Sequence, residues 1–129
     1  MSKIQFFRGA GTEVPIFNLR NGTFYDEAGS SRVLCNIRGL TIFRGAGTGS
    51  VMMNVVGEKV FKGAGTGECL YTIIGNKVYK GAGTGKVLFN CYGKTLWNGA
   101  GTSSPACSWS GERLSSAELA SVALLIEEG

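Results

Sequence analysis

The chain has no histidine, only two prolines, and charged residues at just 17% of its 129 positions. Each shortage removes a class of function. Without histidine, no side chain has an ordinary pKa suited to proton transfer near neutrality, and a mixed Cys/His zinc site is excluded. No run approaches the roughly 20 apolar residues of a membrane-spanning helix. The opening M-S-K-I-Q-F-F-R-G breaks off before an apolar stretch of signal-peptide length. There is no C-x-x-C pair among Cys35, Cys69, Cys91 and Cys107. These four are expected to be reduced and to serve as small buried hydrophobes, in a cytoplasmic protein with no metal, no cofactor and no membrane insertion.

Catalytic motifs are missing as well. No G-x-S-x-G elbow occurs, and the 9 carboxylates are scattered. Asp26 and Glu27 are adjacent, so a strand would turn them to opposite faces and spoil an acid–base pair. The stretch Gly81–Lys86, G-A-G-T-G-K, imitates the end of a phosphate-binding loop. Lys80 stands where that motif needs its first glycine, however, and Val87 where it needs a hydroxyl. The chain is not expected to be an enzyme.

What it has in excess is glycine, 21 residues against roughly 9 at a typical ~7% usage. Glycine contributes no packing and costs chain entropy, so a regular excess serves geometry. Laid out from Gly9, the sequence falls into six 18-residue units that begin at 9, 27, 45, 63, 81 and 99. Three are nearly regular: GAGTGSVMMNVVGEKVFK, GAGTGECLYTIIGNKVYK and GAGTGKVLFNCYGKTLWN. The unit at 27 is worn, and the first and last depart further. Residues 3–8 supply the tail of a preceding unit, and the whole of 1–129 reads as a single repeat domain.

The columns of this alignment define local structure. The eighth is aliphatic, from Ile16 through Leu34, Met52, Leu70 and Leu88 to Ala106; the tenth is asparagine, threonine or serine. The eleventh, from Leu19 to Trp109, and the sixteenth, from Phe24 to Leu114, are apolar. The seventeenth is aromatic (Tyr25, Phe43, Phe61, Tyr79, Trp97) and is expected in the core. Such short runs, rich in β-branched and aromatic residues and bounded by glycine, are strands. Between them stands Gly-x in every unit but the first, which has Asn21-Gly22. Gly-x suits a type II′ turn and Asn-Gly a type I′ turn, the two common two-residue hairpin connections.

The fold class is therefore all-β: tandem hairpins in an antiparallel meander, the sheet curled on itself or paired with another chain. The alternative is a β-solenoid with 18 residues per coil and an internal asparagine ladder. Pro15 and Pro105 share a column in the terminal units, which suggests blunted sheet edges. Ser115-Ser116-Ala117-Glu118 is a capping box. It opens a helix over about 116–127, whose stripe Leu119, Val122, Ala123 and Ile126 is expected to cover an open end or face.

For function, the net charge of +4 and pI near 9.0 give a mild basic bias. Arg8, Arg44, Lys62 and Lys80 recur just before G-A-G-T, interrupted by Asp26 and Asn98. They form a candidate anion-binding row beside glycine loops whose N–H groups could donate to an anion. The hydroxyl column Thr12, Ser30, Thr48, Thr66, Thr84 and Thr102 is a weaker candidate for ordering water or a sugar. The sequence supports a non-enzymatic structural or interaction module with a protein partner or self-association. The alternative is a module for an anionic polymer, nucleic acid or acidic glycan, held by the basic row.

Overall fold

The structure is a computed structural model describing residues 3–11, 14–111 and 113–128. Its strands are β1 (Lys3–Arg8), β2 (Pro15–Arg20), β3 (Thr23–Asp26), β4 (Val33–Arg38), β5 (Thr41–Arg44), β6 (Val51–Val56), β7 (Lys59–Lys62), β8 (Cys69–Ile74), β9 (Lys77–Lys80), β10 (Val87–Tyr92), β11 (Thr95–Asn98) and β12 (Pro105–Trp109). One helix, α1 (Ser116–Glu128), follows. The twelve strands form an antiparallel meander that closes into a barrel when β1 pairs with both β2 and β12. Long and short strands alternate as hairpins, and no coil of a solenoid is present among the described residues.

The hairpin joints use the two expected solutions. Gly39, Gly57, Gly75 and Gly93 have φ between 61° and 66° and the residue after each does not, which is the II′ pattern. Asn21 and Gly22 both have positive φ, 56° and 82°, as type I′ demands.

The sixth hairpin is different. Its first strand is β12, but the strand that completes it is β1, from the other end of the chain. Phe6 pairs with Trp109, Phe7 with Ser108 and Arg8 with Cys107. This is the register that Phe24, Tyr25 and Asp26 keep with Leu19, Asn18 and Phe17 in the first hairpin. Leu114, expected in the sixteenth column, is therefore outside any strand, and Phe6 takes its place. The reason is chemical: K-I-Q-F-F-R offers two aromatics to the ladder, whereas the sixth unit's own tail offers serines. That tail caps the helix instead. The expected turn at Gly111-Glu112 does not form a hairpin; Gly111 has φ 124°, and Glu112 lies outside the described residues.

Closure also corrects the reading of the prolines. A closed barrel has no edges to blunt. Pro15 and Pro105 instead open β2 and β12, the strands flanking β1, at a first position where a missing N–H costs least.

The core comes from three columns. The ninth (Phe17, Cys35, Met53, Tyr71, Phe89, Cys107) and the sixteenth (Phe6, Phe24, Ile42, Val60, Val78, Leu96) are buried throughout, and most of the eleventh joins them. The eighth column sits on a β-bulge repeated in every unit, where the register slips by one. A bulge breaks strict alternation, so columns eight and eleven pack against the same core rather than on opposite faces. The aromatic column, expected inside, faces outward and is half-buried.

A twelve-stranded barrel is too wide for its own side chains to fill, since about eight strands is the size at which they suffice. Helix α1 fills the rest. Leu119, Ala120, Ser121, Val122 and Ala123 are consecutive and all buried, so every side of the helix is covered. Rather than lying over an open end, it threads the lumen beside β4, β5, β6 and β8. Its 13 residues span about 20 Å at 1.5 Å per residue. Six-residue strands span about the same at ~3.4 Å per residue. Its alanines let it sit close to the wall. Across the lumen, at the β12–β1–β2–β3 seam, Phe6, Phe17, Phe24 and Trp109 fill the remaining width, with ring centroids 5.0–5.9 Å apart. The helix starts at the hairpin-turn end, where Glu118 N–H donates to Ser115 Oγ (3.2 Å) and Ser115 N–H to Glu118 Oε1 (2.8 Å). It ends at the glycine-loop end.

Candidate functional site: the charged mouth of the barrel

The eighteenth column decides what the glycine-loop end presents. Each of its residues lies directly opposite a ninth-column residue: Arg44 opposite Cys35, Lys62 opposite Met53, Lys80 opposite Tyr71, Asp26 opposite Phe17 and Asn98 opposite Phe89. Residues opposed in a ladder share a face. The ninth column points into the lumen, so the eighteenth points the same way, at the rim. The predicted row of Arg8, Arg44, Lys62 and Lys80 is thus bent into a ring around the mouth and completed by Asp26 and Asn98.

The glycine loops stand behind this ring, fastened by the tenth column. Asn36 Nδ2 donates to the carbonyls of Gly45 (2.8 Å) and Gly47 (2.9 Å), and Asn18 and Asn54 make the equivalent pairs. Thr72 and Asn90 hold one carbonyl each, Gly81 and Gly101. The asparagines are therefore clamps for the loops, not a ladder. Sequence reasoning named the column without seeing this role; its signal was a buried-type spacing occupied by an amide. Ser30, Thr48, Thr66, Thr84 and Thr102 are exposed on separate loops around a circumference, which offers no flat lattice, and Thr12 lies outside the described residues.

An anion already occupies part of the ring. The last turn of α1 carries Glu127 and Glu128 and no basic residue, an unfavourable arrangement against the helix dipole. The ring supplies the missing positive charge: Arg44 Nη2 lies 3.1 Å from Glu128 Oε2. Tyr71 donates its hydroxyl to Glu127. Burial raises the Tyr71 pKa, and the hydrogen bond to Glu127 raises it further, so the phenol stays protonated and remains a donor. Arg32 pairs with Asp26 at 3.6 Å. Among the described residues, Arg8, Lys62 and Lys80 make no ion pair. Among the described residues of the mouth, five cations (Arg8, Arg32, Arg44, Lys62, Lys80) face four carboxylates (Asp26, Glu27, Glu127, Glu128), leaving one net positive charge.

Six hairpins set around one mouth give the chain its sixfold form. A family model described as a 6-fold beta flower protein matches residues 7–114. The chain belongs to this family. The matched span holds the petals of the flower from Phe7 onward, and α1 lies beyond it. Neither a curated protein nor a solved structure matches the chain. No helix is long and apolar enough to cross a membrane, and no group of metal-ligating side chains occurs among the described residues.

The petals are not equivalent. A cavity of about 710 Å³ opens at the mouth on the seam side of the flower. Its floor includes Ile16, Phe17, Leu34, Ala106, Leu125 and Ile126, and its rim carries Arg8, Arg32 and Arg44 against Asp26, Glu27 and Glu128. Asp26 and Glu27, dismissed as an acid–base pair, meet here only as rim charges.

Proposed function

We propose that this beta flower protein is a non-enzymatic interaction module that receives an acidic protein segment at its mouth. The supporting observation is the contact between Arg44 and Glu128, in which the ring already accepts a single carboxylate from a helix end. Lys62, Lys80 and Arg8 offer the same kind of seat to carboxylates from outside. One net positive charge is poorly matched to a nucleic acid or acidic glycan, whose affinity comes from neutralising many anionic groups at once. A segment presenting a few spaced carboxylates suits it better.

The test compares two triple variants in binding a fluorescein-labelled oligoglutamate peptide and, separately, heparin and single-stranded DNA. Arg44→Gln/Lys62→Gln/Lys80→Gln removes ring charge; Lys59→Gln/Lys77→Gln/Lys94→Gln removes equal charge at the hairpin-turn end. The peptide is expected to bind at low salt and to weaken about tenfold or more in the ring variant alone. Equal weakening in both variants would reduce the ring to bulk charge. Binding of heparin or DNA without the peptide would transfer the reading to an anionic polymer, and no binding of any probe would end it.

A further inference from the structure

The internal repeat supplies its own control for the seam cavity. Residues 45–104, which hold the three regular units, contribute nothing to the cavity lining. All strand and loop residues that line it come from the worn or divergent units and from β1. The departures that create it can be named. The eighth column is Ile, Leu, Met, Leu and Leu in five units but Ala106 in the sixth, which removes the side chain that would fill the floor. The first unit replaces the regular loop ending with Val14 and Pro15, both of which line the cavity. Glu27 stands where every other unit has glycine. It holds a left-handed φ of 56° among glycines at 61–71°. A non-glycine residue there is strained by roughly 1–2 kcal/mol. Sequence drift alone would scatter such departures; here they surround one space.

We infer that the seam cavity binds a small monoanionic amphiphile, a carboxylate with a short acyl or aryl body. The volume is within the roughly 300–1,000 Å³ of small-molecule sites. An apolar body fits the floor made by Ile16, Leu34, Ala106 and Leu125. Arg8 is the head-group anchor, because it is the one cavity arginine without a carboxylate partner among the described residues. Its planar fork matches a carboxylate bidentately. The charge of the ligand is limited to one. Three rim carboxylates oppose three arginines, so each added negative charge meets repulsion. A dianion such as a phosphate monoester is penalised more than a monoanion seated on Arg8, which is unpaired among the described residues. This site shares Arg8 with the ring but needs no acidic protein partner, so either proposal can fail without the other.

Isothermal titration with decanoate, below its micelle concentration, tests the inference on the full chain. Saturable one-to-one binding is expected, weakened about tenfold or more by Arg8→Gln, since a charge-assisted hydrogen bond is lost. Ala106→Leu restores the residue of three other units and should abolish binding by filling the floor while keeping the thermal midpoint. Lys80→Gln, a ring cation away from the cavity, should bind as the wild type does. Decanol and the dianion sebacate should each bind more weakly than decanoate. No saturable binding to decanoate, octanoate or 4-phenylbutyrate overturns the proposal. So does decanoate binding unchanged in both Arg8→Gln and Ala106→Leu, and so does an equal loss in Lys80→Gln.

Discussion

At the scale of single residues, the cysteines divide by column rather than forming one class. Cys35 and Cys107 belong to the ninth column and are fully buried; Cys69 and Cys91 are half-buried. Burial pushes the Cys35 thiol up to about 12, against a weaker opposing pull from Arg44. It pushes Cys107 to about 12 as well, with Cys91 adding to the rise. A thiolate is disfavoured in the folded lumen but not in the unfolded chain. These thiols therefore contribute stability that is fully present below about pH 9 and is lost as pH rises toward 12. Denaturant midpoints should fall over that window, and less steeply in a Cys35→Ala/Cys107→Ala variant compared with its own neutral-pH value. The same burial makes labelling at pH 8 selective. Cys69, half-buried on the outer wall, should react first, and Cys35 and Cys107 should wait for unfolding. Prompt reaction of Cys35 would contradict its place in the lumen.

At the scale of the hairpin, one glycine per unit fixes the turn. Gly75 has φ 61°, and a Cβ built on it would meet nothing within 4 Å. The cost of Gly75→Val is then conformational rather than steric, roughly 1–2 kcal/mol for a left-handed residue and more for a β-branched one. Lys94→Ala, at an exposed turn position of the next unit, is the control and should change the melting temperature little. Equal midpoints for the two variants would refute the II′ turn. These turns were legible because each type demands particular residues, and the capping box of α1 was legible for the same reason. The inward faces were less so. The repeated bulge at column eight shifts side-chain parity by one, which no composition reveals. It brought column eight to the core side, while plain alternation turned the aromatic column outward beside the buried sixteenth and placed the ninth inward with the eleventh, its mixture of Phe, Cys, Met and Tyr hiding that common role. The charged positions recur at one place in the repeat, but whether such a line is straight or closed depends on strand count and curvature.

At the scale of the whole molecule, the barrel depends on a strand borrowed from the opposite end of the chain. An open sheet with two apolar faces would call for a second chain to cover one of them. Closure and the threaded helix bury the inner face within one chain, so that argument for self-association no longer applies. It returns if β1 is removed. Without residues 1–8, β2 and β12 become free edges, each proline-blunted only at its first residue and able to pair along the rest. The lumen also loses Phe6, which touches Phe17, Phe24 and Trp109 and is fully buried. The sixth unit's own tail, Arg113 to Ser116, is a poor substitute. It brings Leu114 but no aromatic, and using it would dismantle the Ser115–Glu118 cap that starts the helix. A chain lacking residues 1–8 should therefore scatter as a larger species than the full chain does at the same concentration, measured against the 13.6 kDa mass of one chain. A synthetic peptide of residues 1–8 should reverse that by strand addition, because backbone pairing and the Phe6 pocket are both available to it. A Phe6→Ala version of the peptide should rescue poorly. A truncated chain that stays monomeric with an unchanged melting temperature would show that the tail closes the barrel by itself, and that β1 is not the strand that completes the flower.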